Sequence, residues 1–168
     1  MNTSDAPHPI AEPAVANAWQ LAHAELILGS YARLTGRALL GPLPDEPAAA
    51  RAQRLYSAPF VLLSHDTQGD PCFNYANLTA QRLFEHPWAG LVGLPSRYSA
   101  EPVAREARQK LLETVANRGY TDDYSGIRIA SSGRRFLIRA ACVWNLLDAD
   151  GRLHGQAATF AHWEAAPA

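Results

Sequence analysis

The stretch Asn74–Gly93, NYANLTAQRLFEHPWAGLVG, decides how the rest of the chain is read. It begins as the end of a strand and caps a helix with Asn77. That helix carries Leu78, Leu83 and Phe84, and a second short helix closes on Gly93. So many changes of direction in one short run fit a crossing from a sheet to a layer of helices.

Upstream, Phe60–Leu63 is a compact apolar run, followed by the turn residues DTQGDP and by the extended segment Cys72–Tyr75, which together predict a β-hairpin. Downstream, a longer helix is predicted from near Pro102 to Gly119, with Val103, Ala107 and Leu111 on its apolar stripe. Three strands follow, at about Tyr120 to Ala130, Arg134 to Leu147 and Leu153 to Trp163. Ser131-Ser132-Gly133 and Asp148-Ala149-Asp150-Gly151 supply the turns between them. Two strands, three helical pieces and three strands predict an α+β fold, a five-stranded antiparallel sheet with helices on one face. The first two chain strands are expected at its centre.

Residues 1–12 read as a disordered N-terminus and 13–57 as a helical extension, leaving 58–164 as the main domain. The extension holds a helix from about Pro13 to Leu40 and an Ala-rich helix at 46–57 that stops before Pro59. On the sheet, Ile127, Ile129, Leu137 and Val143 share one phase, so a second apolar face needs a cover and the extension is the available material. The apolar residues Trp19, Leu26, Ile27, Leu28, Tyr31 and Leu34 form a stripe wider than one sheet contact absorbs, which predicts a homodimer.

Composition excludes several classes of function. The 168 residues, 48% hydrophobic, suit one self-sufficient domain. With 15 Lys and Arg against 16 acidic residues the formal charge is −1, which gives no footprint for nucleic acid or an anionic membrane. No apolar run approaches the roughly 20 residues of a membrane span. Cys72 and Cys142 belong to no C-x-x-C pair and the N-terminus carries no signal-like run, so a cytoplasmic protein with free thiols is expected.

The segment LLSHDTQGDPCFNYANLTAQRLFEHPWAGLVG resembles the opening half of a PAS domain. The longer run NYANLTAQRLFEHPWAGLVGLPSRYSAEPVAREAR, with DDYSGIRIASSGRRF and VWNLLDADG followed by GQAATF, resembles the MEKHLA domain more closely. That PAS-like family implies a sensory or interaction module, acting in signalling or regulation through a small molecule, a protein partner, or both.

The blue-light flavin group of PAS domains carries G-x-N-C-R-F-L-Q where this chain has Gly93-Leu94-Pro95-Ser96-Arg97-Tyr98-Ser99-Ala100. Ser96 replaces the adduct-forming cysteine, and a hydroxyl is a far weaker nucleophile than a thiol, so flavin adduct chemistry is not expected. A second flavin-contacting glutamine would fall at Ala157. Haem-binding PAS domains resemble one another in a histidine on the long helix, and residues 101–119 contain none. Carried over by strand phase, the resemblance puts Leu63, His65, Gly126, Arg128, Ile138, Ala140, Cys142, Leu153 and Ala157 around a pocket, with Ser96 and Arg97 beside it. A desolvated Arg128 needs a partner. That partner is either an anionic small molecule shared with His65, or Asp122, Asp123 or Glu113; alternatively the register is shifted by one residue and the set points outward. A competing class is a small α+β cone-type enzyme, isomerase- or cyclase-like, with His65 and Asp122 or Asp123 as an acid–base pair.

Overall fold

The structure, a computed structural model, describes residues 9–41, 45–101 and 105–167. The chain forms α1 (Leu21–Thr35), α2 (Ala48–Tyr56), β1 (Val61–His65), β2 (Phe73–Ala76), α3 (Leu78–Phe84), α4 (Trp88–Leu91), α5 (Arg105–Arg118), β3 (Tyr120–Ile129), β4 (Arg135–Leu147), β5 (Leu153–Phe160) and β6 (His162–Ala165). The sheet is antiparallel in the order β2-β1-β5-β4-β3, and β6 pairs with β4. The fold is the α+β, PAS-like arrangement expected. Two details differ: β5 rather than the first hairpin is central, with β2 at an edge, and the last predicted strand breaks after Phe160 to give a sixth.

Asn77 explains the bends of the opening stretch. Its Oδ1 accepts from Ala80 N at 3.0 Å, capping α3, and from Leu62 N at 3.1 Å, while its Nδ2 donates to Phe60 O at 2.8 Å. One fully buried side chain thus ties the helix start to β1. Gly93, at φ +94, turns the chain back so that its N–H donates to Phe73 O at 2.8 Å, and Phe73 N donates to Leu94 O at 3.0 Å. The stretch leaves β2 and returns to it.

Two cores lie on opposite faces of the sheet. On the outer face α1 and α2 bury Ile27, Tyr31, Leu55 and Tyr56 against Leu62, Trp144 and Leu146. Tyr31 meets the Trp144 ring edge-on at 5.0 Å, and Ser30 Oγ both donates to Leu147 O and accepts from Leu147 N at 2.8 Å. On the inner face α3 and α4 bury Leu83, Phe84 and Leu91 against Val61, Leu63, Phe136 and Ile138. Burying each large side chain contributes roughly 1.5–3 kcal/mol, so the extension is part of the folded unit.

The extension is less regular than its sequence implies. Val15–Asn17 is a 3-10 turn, and Ala18, Trp19 and Gln20 all take positive φ before α1 begins, so the predicted Pro13–Leu40 helix is broken. Residues 9–12 are held rather than disordered: Trp88 Nε1 donates to Ile10 O at 2.8 Å, and the Tyr56 hydroxyl donates to the Glu12 carboxylate. The remainder of the expected disordered tail, and Pro102 and Val103 at the expected start of α5, lie outside the described residues.

Candidate functional site

The inner face and α5 enclose a cavity of about 60 Å³. Its wall is mostly carbon, from Leu63, Phe84, Leu111, Ile138, Val143 and Phe160. Into this apolar setting the fold brings two guanidiniums, Arg108 from α5 and Arg128 from β3, which are only 7% and 8% exposed.

Neither has a carboxylate partner among the described residues. Arg128 donates to its own strand at Ile127 O, 2.9 Å away, and to the Tyr124 hydroxyl at 3.0 Å. Gly126 makes that contact possible, because a Cβ there would lie 2.4 Å from the Tyr124 hydroxyl. Arg108 donates to the hydroxyl of Ser96, which is fully buried. Burial first, and the charge of Arg128 second, hold the Arg108 pKa down to about 10. An arginine keeps its proton at neutral pH even so, so two like charges share one desolvated site.

His65 and Gln156 complete the polar part of the wall, and they are register partners on β1 and β5. His65 Nδ1 lies 2.8 Å from Asp66 O, so that nitrogen carries the proton, and Nε2 is buried without a partner. Burial lowers the His65 pKa, opposed by the Asp66 carbonyl and reinforced by Arg108, so the ring is neutral at neutral pH. Gln156 Nε2 donates to Leu112 O at 3.0 Å and Asn145 Oδ1 at 3.2 Å, which leaves its buried Oε1 unpaired. Cationic donors and neutral acceptors therefore line one cavity.

The structure brings together Leu63, His65, Arg128 and Ile138 of the expected set, with Ser96 touching the site through Arg108. It separates the others. Arg97 lies outside, pairing with Asp70 at 3.1 Å and stacking 4.3 Å over Tyr98. Ala140 takes φ +50 at a bulge, is exposed, and switches the phase of β4; Cys142 therefore falls in the outer core, and Ala141 and Val143 turn inward. Ala157 packs in the outer core beside its register partner Trp144 although it also borders the cavity, and its neighbour Gln156 is the inward glutamine. Leu153 is half exposed.

Asp122 pairs with Arg37 at 3.3 Å, and exposed Asp123 accepts from Thr121 Oγ1 at 3.2 Å, so neither partners Arg128. Neither lines the cavity with His65, and the acid–base pair of the cone-type alternative is not assembled.

Arg108 and Gln156 were missed from the sequence. Arg108, Leu111, Leu112 and Val115 follow the i, i+3, i+4, i+7 pattern of an inward helix stripe, which is the signal for Arg108. The stripe expected through Ala107 is one residue out, since Ala107 is exposed. No group of three or more metal-ligating side chains occurs among the described residues, and no helix there is long and apolar enough to cross a membrane.

A family model, the MEKHLA domain, matches residues 21–165, across both the helical extension and the sheet. Comparison with curated proteins gives no match. Among solved structures, a PAS domain from Colwellia psychrerythraea aligns at 15% identity and TM-score 0.57, covering 70% of this chain and 94% of that one. A fungal LOV domain photoreceptor aligns at 15% identity and TM-score 0.54, covering 83% and 89%. An RNA-binding light-oxygen-voltage receptor aligns at 18% identity and TM-score 0.56, covering 71% of this chain but only 35% of the receptor. At such identities the likeness establishes the fold alone. A flavin does not fit the residues of this cavity: a volume of about 60 Å³ is too small for three fused rings. The hydroxyl at Ser96 is also already engaged by Arg108.

Proposed function

Since the chain belongs to the MEKHLA domain family and has a PAS-like fold, we propose that it is a sensory module that binds a small anionic molecule in the cavity between the sheet and α5. The observation that carries this reading is the pair of buried guanidiniums, Arg108 and Arg128, without a carboxylate partner among the described residues. A buried cation is strongly destabilising unless it is paired, and a guanidinium binds carboxylate or phosphate through parallel N–H···O bonds. Occupancy would draw Arg108 from Ser96 and so reposition α5, the element through which a protein partner would read the bound state.

The test is native mass spectrometry of the freshly purified chain, followed by thermal melts of dialysed protein with organic and inorganic anions at constant ionic strength. A retained anion, or a melting temperature raised by an anion and unmoved in Arg108→Met and Arg128→Met, supports the reading. Melts that no anion raises, in a protein that retains no small molecule, refute it. A homodimer through α1 is the self-assembly that its apolar stripe supports, since Trp19, Leu26, Leu28 and Leu34 are only partly buried within one chain. Light scattering at tens of micromolar tests that reading.

A further inference from the structure

The cavity has more chemistry than an anion requires. We propose that its ligand is a short carboxylate bearing a hydroxyl on the neighbouring carbon, a small 2-hydroxy acid, with the carboxylate on Arg108 and Arg128 and the hydroxyl donated to the acceptor of His65 or Gln156. This rests on the reading of the cavity as the ligand site. Four observations carry the ligand class.

First, the two cationic side chains lack carboxylate partners among the described residues and can hold one carboxylate between them. Secondly, His65 Nε2 and Gln156 Oε1 are both buried acceptors without a donor among the described residues. They sit on paired residues of adjacent strands, so a hydroxyl placed beside them can donate its one proton to either. Leaving such groups unsatisfied costs more than a formed hydrogen bond returns, which makes the pair a recognition element for a donor. An ammonium would also donate, but it would sit beside two guanidiniums and be repelled; a neutral hydroxyl would not.

Thirdly, the rest of the wall is mostly carbon, from Leu63, Phe84, Ile138, Val143 and Phe160, and the Ser99 and Tyr124 hydroxyls that also border it are engaged by Ser96 O and Arg128. Phosphate or sulfate would press polar oxygens against it, whereas a carboxylate presents its charge at one end and carbon at the other. Fourthly, a volume of about 60 Å³ admits only a small ligand. Lactate, with six non-hydrogen atoms, matches that size.

Isothermal titration of the dialysed full-length chain with sodium lactate, sodium propionate, 1,2-propanediol and inorganic phosphate separates these contributions at fixed ionic strength and pH. Lactate is expected to bind at least about tenfold more tightly than propionate, and propionate more tightly than the neutral diol or phosphate. In Gln156→Met the lactate advantage over propionate should shrink towards onefold while propionate binding persists. If that variant fails to fold, the wild-type series alone decides. Equal affinity for lactate and propionate overturns the hydroxyl assignment, diol binding as tight as lactate overturns the role of the arginines, and phosphate binding as tight as lactate overturns the carbon-walled carboxylate. If native mass spectrometry finds a different anion retained, the sensory reading stands and this inference fails.

Discussion

Replacing Arg108 by methionine should stabilise the ligand-free protein while removing anion binding. Burial first, and the charge of Arg128 second, lower the Arg108 pKa by about 2.5 units from the ordinary arginine value, to about 10. At 1.36 kcal/mol per unit this is about 3 kcal/mol acting against the charged form, and the charge stays at neutral pH. Two terms oppose the gain. The variant loses the hydrogen bond to Ser96 and leaves that buried hydroxyl unpaired, a loss of about 1–2 kcal/mol. Methionine retains the apolar stem and fills irregular space, so little packing is lost. The net expectation is a gain of about 1–2 kcal/mol, in line with the general finding that apolar residues replacing buried ionic groups are often stabilising. For a chain of this length that corresponds to a rise in melting temperature of roughly 2–8 °C. Equilibrium unfolding in urea, followed by tryptophan fluorescence on dialysed protein near pH 7.5, measures it. Adding a bound anion should narrow or invert the difference, because only the native wild type gains from binding. A variant destabilised by 1 kcal/mol or more at unchanged denaturant slope would refute the reasoning and make Arg108 a structural strut.

Asn77→Ala removes the α3 cap and orphans the buried Leu62 N–H, so a loss of about 3 kcal/mol is expected in urea unfolding. Gly155 takes φ +144 and a Cβ there would stand 1.9 Å from His65 O, so Gly155→Ala should cost about 3 kcal/mol or more or leave the protein insoluble; Gly151→Ala, at φ +79 with nothing within 4 Å, should cost about 1 kcal/mol. His23, whose Nε2 lies 2.8 Å from Ser64 Oγ, has its pKa lowered to about 4 by burial first and His154 second. The unfolded chain takes up this proton near pH 6.5 and the folded chain only near 4, so the contribution is complete above 6.5 and falls with pH through that window. At pH 5 about 2 kcal/mol should be lost relative to pH 8, and His23→Gln should not show that part of the loss. His65, shifted in the same direction, is common to both proteins and cancels in the comparison.

The order of strands and helices was legible because the signals that set it are local. Asn77 as a cap, Gly93 as a stop and the two glycine-bearing turns after β3 and β4 each act within a few residues, and each held in the structure. The spatial order of strands is set instead by contacts distant in sequence, and β1 lies between β2 and β5 through pairings that no local pattern encodes. Facing direction failed for a different reason. Alternation along β4 predicts one face for Ile138, Ala140 and Cys142, but Ala140 adopts a left-handed conformation that its small side chain does not advertise, and the phase reverses there. The same limitation hid Gln156 behind Ala157, whereas His65, Leu63 and Arg128 lie on stretches where alternation reaches the cavity.

The bulge also accounts for there being a cavity. With unbroken alternation from Ile138, the inward positions would be Ala140, Cys142 and Trp144, and the indole would occupy space beside α5. The switch at Ala140 sends Trp144 outward against Tyr31 and places Ala141 and Val143 behind the arginines. A non-glycine residue in that conformation costs roughly 1–2 kcal/mol, and the unpaired guanidiniums and the orphaned acceptors on His65 and Gln156 add further costs around the same small volume. A domain selected for stability alone would have filled this space with the available aromatic residue and an apolar position at 108. These departures gather around one small volume, and that grouping supports the binding reading proposed above, although the outer core also holds orphaned polar atoms on Tyr75 and Trp144.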